Sequence, residues 1–131
     1  MVDLKKEDWE PLALSKGGMT RWNWMVSHHK NFKCGRADIG AFTYINARYG
    51  VNIGDDVEIG SHCSIYSHSM IGDKEGPVEI NDHVCIGSHS VVMPGVTIGK
   101  GSLVGAFSLV KEDIPPYEFW CGVPARRKQC D

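Results

Sequence analysis

From about residue 39 to residue 114 the chain repeats itself every six residues, with an apolar first place and a small or apolar fifth place. Ile53, Ile59 and Ile65 occupy the first place, and after an interruption the register resumes at Ile80, Ile86, Val92, Ile98 and Val104. Val84, Ser90, Val96, Ser102 and Ser108 fill the fifth place. A period of six matches neither a helix, near 3.6 residues, nor an alternating strand. It matches short flat strands joined by tight turns and stacked as a solenoid, each coil sharing an internal column of Ile and Val with the next. The expected fold is therefore an all-β solenoid of about 4–5 coils. So thin a core gains by burying a flat side against copies of itself, which predicts oligomerisation.

The repeat divides the chain. Residues 1–34 carry no period and read as an N-terminal cap over the open first coil, with a short helix predicted over residues 3–14 and Asp3 as its N-cap. Residues 35–116 are the expected solenoid, ending at Ile114-Pro115-Pro116 because proline cannot donate to a strand ladder. Residues 117–131 are read as a tail carrying Arg126, Arg127 and Lys128. Ile59 to Ile80 spans 21 residues where three hexapeptides would take 18, so about three extra residues are expected in a loop over residues 69–77, marked by Gly72, Gly76 and Pro77. Loops pushed out of a rigid repeat often carry function.

A net charge of −2 argues against a nucleic-acid partner. No apolar run approaches the roughly 20 residues of a membrane span. The first residues lack the apolar stretch of a signal peptide, and the five cysteines form no C-x-x-C pair, so a cytoplasmic setting is expected. Cys63 falls at an inward place and reads as a buried apolar residue.

Several segments carry a family likeness: Ile86-Gly87-Ser88-His89, Val92-Met93-Pro94-Gly95-Val96-Thr97-Ile98-Gly99, Val104-Gly105-Ala106-Phe107-Ser108, Lys111-Glu112-Asp113-Ile114-Pro115-Pro116 and Gly122-Val123-Pro124-Ala125-Arg126. With the repeat, they resemble the hexapeptide-repeat acyltransferases, and most of all the galactoside, maltose and related sugar O-acetyltransferases. The resemblance implies a left-handed parallel β-helix, an exception to the right-handed crossover rule. It also implies a homotrimer with each active site between two subunits, and acetyl-CoA as donor to a small-molecule sugar acceptor. His68, just before the interruption, matches the family's general base. Ser88 matches the residue whose backbone N–H faces the thioester carbonyl. Cys85, Gly87, Gly105, Ala106, Lys111, Pro124, Ala125, Arg126 and Arg127 match the coenzyme channel, and His89, Tyr66 and Asp73 are acceptor-side candidates. Two departures stand out: the loop after His68 is shorter than in the galactoside enzymes, and Cys85 replaces a tryptophan of the pantetheine channel.

The chemistry asks for little. Thioester acetyl transfer needs a base titrating near neutral pH, which histidine supplies, donors for the oxyanion, and two substrates held in attack geometry. Arg126, Arg127, Lys111 and Lys100 are candidates for phosphate contacts. Trp22, Trp24 and Trp120 could stack on a sugar or simply pack in the core. Asp55, Asp56, Glu58 and Asp73 read first as exposed turn residues, with acceptor contact as the alternative. An acyl-cysteine at Cys85 lacks an activating neighbour in the sequence. His62, His68, His83 and His89 share the fourth place of their hexapeptides. Three extra residues would set His62 over His83 and His68 over His89, a ladder that invites comparison with the metal sites of γ-class carbonic anhydrases. Fewer than three ligands per chain makes no metal the leading expectation. Transfer to an amino sugar nitrogen and a non-catalytic scaffold complete the alternatives.

Overall fold

A computed structural model describes residues 18–129, so the helix expected over residues 3–14 and Cys130 lie outside the described residues. The described residues form a left-handed parallel β-helix of about five turns. Its cross-section is a triangle with three flat faces. Face A stacks Met25–Ser27, Tyr44–Asn46, Ser64–Tyr66, Val91–Val92 and Leu109–Val110. Face B stacks Phe32–Cys34, Val51–Ile53, Val78–Ile80 and Thr97–Ile98. Face C stacks Ala37–Ile39, Val57–Ile59, Cys85–Ile86, Leu103–Val104 and Phe119–Cys121. No described helix is long and apolar enough to cross a membrane.

Each strand alternates buried and outward residues, as in Val51–Ile53 and Val57–Ile59. First-place residues stack in register, Ile45 on Ile65 on Val92 on Val110, and Ile39 on Ile59 on Ile86 on Val104. All of them are buried. The fifth-place serines also point inward, and each hydroxyl finds a carbonyl: Ser102 Oγ donates to Pro115 O at 2.6 Å and Ser108 Oγ to Gly105 O at 2.6 Å. That satisfies a buried hydroxyl that would otherwise cost about 1–3 kcal/mol. The corner from face C to face A needs glycine. A Cβ on Gly87 would meet the Ala106 backbone N at 2.5 Å, because the next coil lies directly against it.

The stacking runs further in both directions than the period alone predicts. Met25–Ser27 and Phe32–Cys34 are already paired strands, ten residues before the expected start at residue 35. Trp24, fully buried, closes this end with its ring edge-on to Phe32 at 5.8 Å. At the other end Phe119–Cys121 continues face C beyond residue 116, and Arg126–Lys128 folds back antiparallel on it. A reversed strand stops further parallel addition.

The coil arithmetic also changes. Ile59 pairs with Ile86, 27 residues on, whereas Ile86 pairs with Val104, 18 on. The insertion after face A is therefore nine residues, not three. It folds as a small hairpin, His68–Ser69 against Lys74–Glu75, with a 3₁₀ turn at Ile71–Asp73 between them. A second excess of two residues, unnoticed in the sequence, lies in the coil before it, since Ile39 pairs with Ile59, 20 residues on.

Candidate active site

The outer surface of face C and its corner with face A enclose a groove of about 560 Å³. Its floor is the outward residue of each coil, Asp38, Glu58, Cys85 and Leu103 in register, and its wall is the corner of Gly60, Gly87, Ser88, Gly105 and Ala106. Five of the residues assigned from the resemblance, Cys85, Gly87, Ser88, Gly105 and Ala106, are thus brought to one place.

The corner's backbone distinguishes it from its neighbour. Between faces B and C, carboxylates cap the equivalent N–H groups: Arg36 N donates to Asp55 Oδ1 and Asp55 N to Asp82 Oδ1, both at 2.8 Å. Between faces C and A, the N–H groups of Ser61, Ser88 and Ala106 have no acceptor among the described residues. Asp55 and Asp82 therefore do structural work. At the groove corner the same type of donor is left for a ligand, at the coil spacing of about 4.8 Å.

Cys85 Sγ lies 3.8 Å from Glu58 Oε2. Partial burial, and then the Glu58 charge, push the thiol above its usual range, so it stays protonated at neutral pH. That opposes an acyl-cysteine intermediate.

His68 sits at the root of the hairpin, at the corner between faces A and B, with its side chain 13% exposed. Its Nε2 is 3.6 Å from Asp73 Oδ1, and the Tyr49 ring lies against it with centroids 5.5 Å apart. One chain does not bring His68 to Ser88. His68 follows a face A strand and Ser88 precedes one, so the width of that face, about 17 Å for five residues, separates them. Tyr66 lies on face A between the two corners, edge-on to Tyr44 at 6.1 Å.

The expected histidine ladder is replaced by another. With nine inserted residues, His62 stacks on His89 at 4.8 Å and 8°, and His89 on Phe107 at 4.8 Å and 1°, continued by Phe42 against His62 at 5.3 Å. All four adopt positive φ at the same corner position. Stacked rings present faces to one another, not converging nitrogen lone pairs, and no three His, Cys, Asp or Glu groups converge among the described residues. His89 therefore flanks the groove corner and not His68. His83 instead comes within 3.8 Å of Asp56 on the preceding coil.

The remaining coenzyme candidates gather at the reversed end. Ala125 is buried and its N–H donates to Leu109 O at 2.8 Å, which fixes the turn carrying Pro124 onto the last coil. Arg126 pairs with Glu112 at 3.1 Å and Arg127 with Glu118 at 3.6 Å, while Lys111 and Lys100 are exposed. Among the tryptophans, Trp24 is entirely in the core and Trp120 half-buried with its indole N–H on Glu118 at 3.0 Å. Among the described tryptophans only Trp22 is substantially exposed, under the Arg21 guanidinium at 4.6 Å. Sequence reasoning missed Asp38 and Tyr49 and misread Glu58 as a turn residue. Asp38 and Glu58 share the sixth place, immediately before the buried Ile, which is the outward position facing the groove.

A family model described as bacterial transferase hexapeptide (six repeats) matches residues 76–112. A galactoside O-acetyltransferase of Escherichia coli (strain K12) is 44% identical over 87 residues, 60% of this chain and 43% of that protein. The chain spans less than half the length of the curated relatives it matches. A solved hexapeptide-repeat-containing acetyltransferase from Vibrio cholerae superposes with a TM-score of 0.59 at 33% identity, over 82% of this chain and 70% of that one. The same Vibrio cholerae acetyltransferase complexed with acetyl coenzyme A superposes with a TM-score of 0.75 at 31% identity, over 81% and 63%.

Proposed function

Because the chain belongs to the bacterial hexapeptide-repeat acetyltransferases, we propose that it transfers the acetyl group of acetyl-CoA to a sugar or nucleotide-linked sugar, within a homotrimer whose sites lie between subunits. The observation that carries this reading is the groove whose corner N–H groups have no acceptor among the described residues. Acetyl-CoA fits it as donor substrate. Ser88 N–H meets the thioester oxygen, Cys85, Gly87, Gly105 and Ala106 flank the pantetheine arm, and the turn of Pro124, Ala125, Arg126 and Arg127, with Lys111, meets the phosphates. His68 of a neighbouring subunit takes the proton of the acceptor hydroxyl as its oxygen attacks the carbonyl. Collapse of the tetrahedral intermediate breaks the C–S bond, and the departing thiolate takes up that proton. The separation of His68 from Ser88 within one chain supports a shared site.

Ala106→Trp tests the groove and the sharing together. Filling the groove is expected to raise the KM for acetyl-CoA at least about tenfold, as the loss of one well-packed binding region would. Co-expression of Ala106→Trp with inactive His68→Ala subunits should restore part of the activity, because some interfaces then pair an intact groove with an intact histidine. No restoration, with both variants folded and trimeric, would place the site within one subunit. Lack of both CoA binding and thiol release in the wild-type chain would leave the scaffold reading.

A second reading, transfer to an amine, is favoured by Asp38 and Glu58 on the groove floor, where carboxylates would attract an ammonium acceptor. Under it, Asp38→Asn and Glu58→Gln lower kcat/KM for amino sugars by about tenfold each, the 1.4 kcal/mol of one weakened ion pair, and leave neutral sugars unchanged. Equal effects on both acceptor classes would remove this reading.

A further inference from the structure

We propose that Tyr49, whose ring lies against His68, is a positioning residue that fixes the imidazole of His68, an inference that rests on His68 being the base. Both irregularities of the repeat meet at this corner. The two-residue excess lies at the corner that carries Tyr49, and the nine-residue hairpin supplies His68, Asp73 and Glu75. Tyr49 is held at two points. Its backbone N–H donates to Ser67 Oγ at 2.9 Å, and that hydroxyl in turn donates to Asn46 O at 2.7 Å. Its ring lies against His68 at 54°. Glu75 sits directly opposite His68 in the antiparallel pair, and its carboxylate acts on the Tyr49 phenol.

The geometry makes the arrangement specific to this coil. The equivalent corner one coil on is Met93-Pro94-Gly95, which has no ring or polar group to offer. The Glu75 carboxylate, with smaller help from burial, holds the Tyr49 phenol above its usual range, so the hydroxyl remains a donor at neutral pH. A hairpin two residues long on each side makes few bonds of its own, and the Tyr49 ring braces its root at His68 against the rigid coil. Asp73, 93% exposed, approaches Nε2 from the solvent side. The ring is thus confined by Tyr49 on one side, with Asp73 at its Nε2.

The test compares Tyr49→Ala, Tyr49→Phe and Glu75→Gln in the intact oligomer, by thiol release from acetyl-CoA with a panel of free sugars and amino sugars. Misplacing a base by about 1 Å can cost up to 10²-fold. Tyr49→Ala should lower kcat by about tenfold or more, and Tyr49→Phe by about threefold because the ring contact survives, with the KM for acetyl-CoA held within about twofold. Tyr49→Ala added to His68→Ala should cost nothing more, since a positioner has no role without the group it positions. A second readout needs no acceptor: the imidazole NMR signals of His68, identified by their loss in His68→Ala, should shift and broaden in Tyr49→Ala. Unchanged kcat and unchanged signals overturn the proposal, as does a rise in acetyl-CoA KM that accounts for the whole loss. Full activity in His68→Ala would instead overturn the base assignment, which separates the two failures.

Discussion

His68→Ala is expected to lower kcat by about 10²- to 10⁴-fold, the usual contribution of a positioned general base, with melting temperature and oligomeric state unchanged. The reasoning begins with where the residue lies. His68 belongs to the extruded hairpin and not to the internal column of Ile45, Ile65, Val92 and Val110. Removing its ring leaves the stacked coils intact. A hydroxyl acceptor is a poor nucleophile without a base, whereas groove and oxyanion donors persist, so KM for acetyl-CoA should hold. Steady-state kinetics beside a thermal melt decide the matter. Activity unaltered by the substitution would sink the mechanism, and a loss confined to KM would reassign His68 to binding.

Trp24→Ala should destabilise the protein by about 3–5 kcal/mol, the range for emptying a fully buried aromatic site. Trp24 is the plug of the first coil. Thr20 Oγ1 donates to its carbonyl at 2.9 Å, and Phe32 meets it edge-on. Without it the apolar column opens to water at one end. Denaturant unfolding measures the loss, and kinetics below the melting transition separate a cap from an acceptor contact. Preserved kcat and KM in Trp24→Ala identify a cap alone. Trp22→Ala, at an exposed ring, should change stability by no more than about 0.5 kcal/mol.

The solenoid was legible in the sequence because its cause is local. An inward apolar residue every six places, with a small residue four places later, is what a three-sided coil of flat strands requires, and Ile53, Ile59, Ile86 and Val104 all fall inside as expected. The stacking across the interruption was not legible, for a physical reason. The three faces use the same hexapeptide grammar, so insertions of three and of nine residues, differing by one whole face, preserve the same period. Only pairing tells them apart, and it sets His62 on His89 and not on His83. The ends of the fold escaped for a related reason. Met25–Ser27 and Phe119–Cys121 pair through backbone bonds although their spacing from the neighbouring coils departs from the period. The groove residues named from the resemblance cluster because they share one corner. Tyr49 went unnoticed because it lies in the two-residue excess, off the period, and Asp38 because the meaning of its outward sixth place depends on which coil lies beside it.

If the groove holds the donor as proposed, the row of N–H groups at its corner also acts as a ruler. Ser61, Ser88 and Ala106 are one coil apart, and the reversed strand Arg126–Lys128 forbids another coil. The distance between the cationic end and the carboxylates of Asp38 and Glu58 is therefore counted in whole turns and cannot be tuned continuously. A longer or shorter donor would miss its station by a fixed step of about 4.8 Å. A chain built this way can exchange one acceptor for another by changing outward residues coil by coil, but it can change the length of its donor only by gaining or losing a turn.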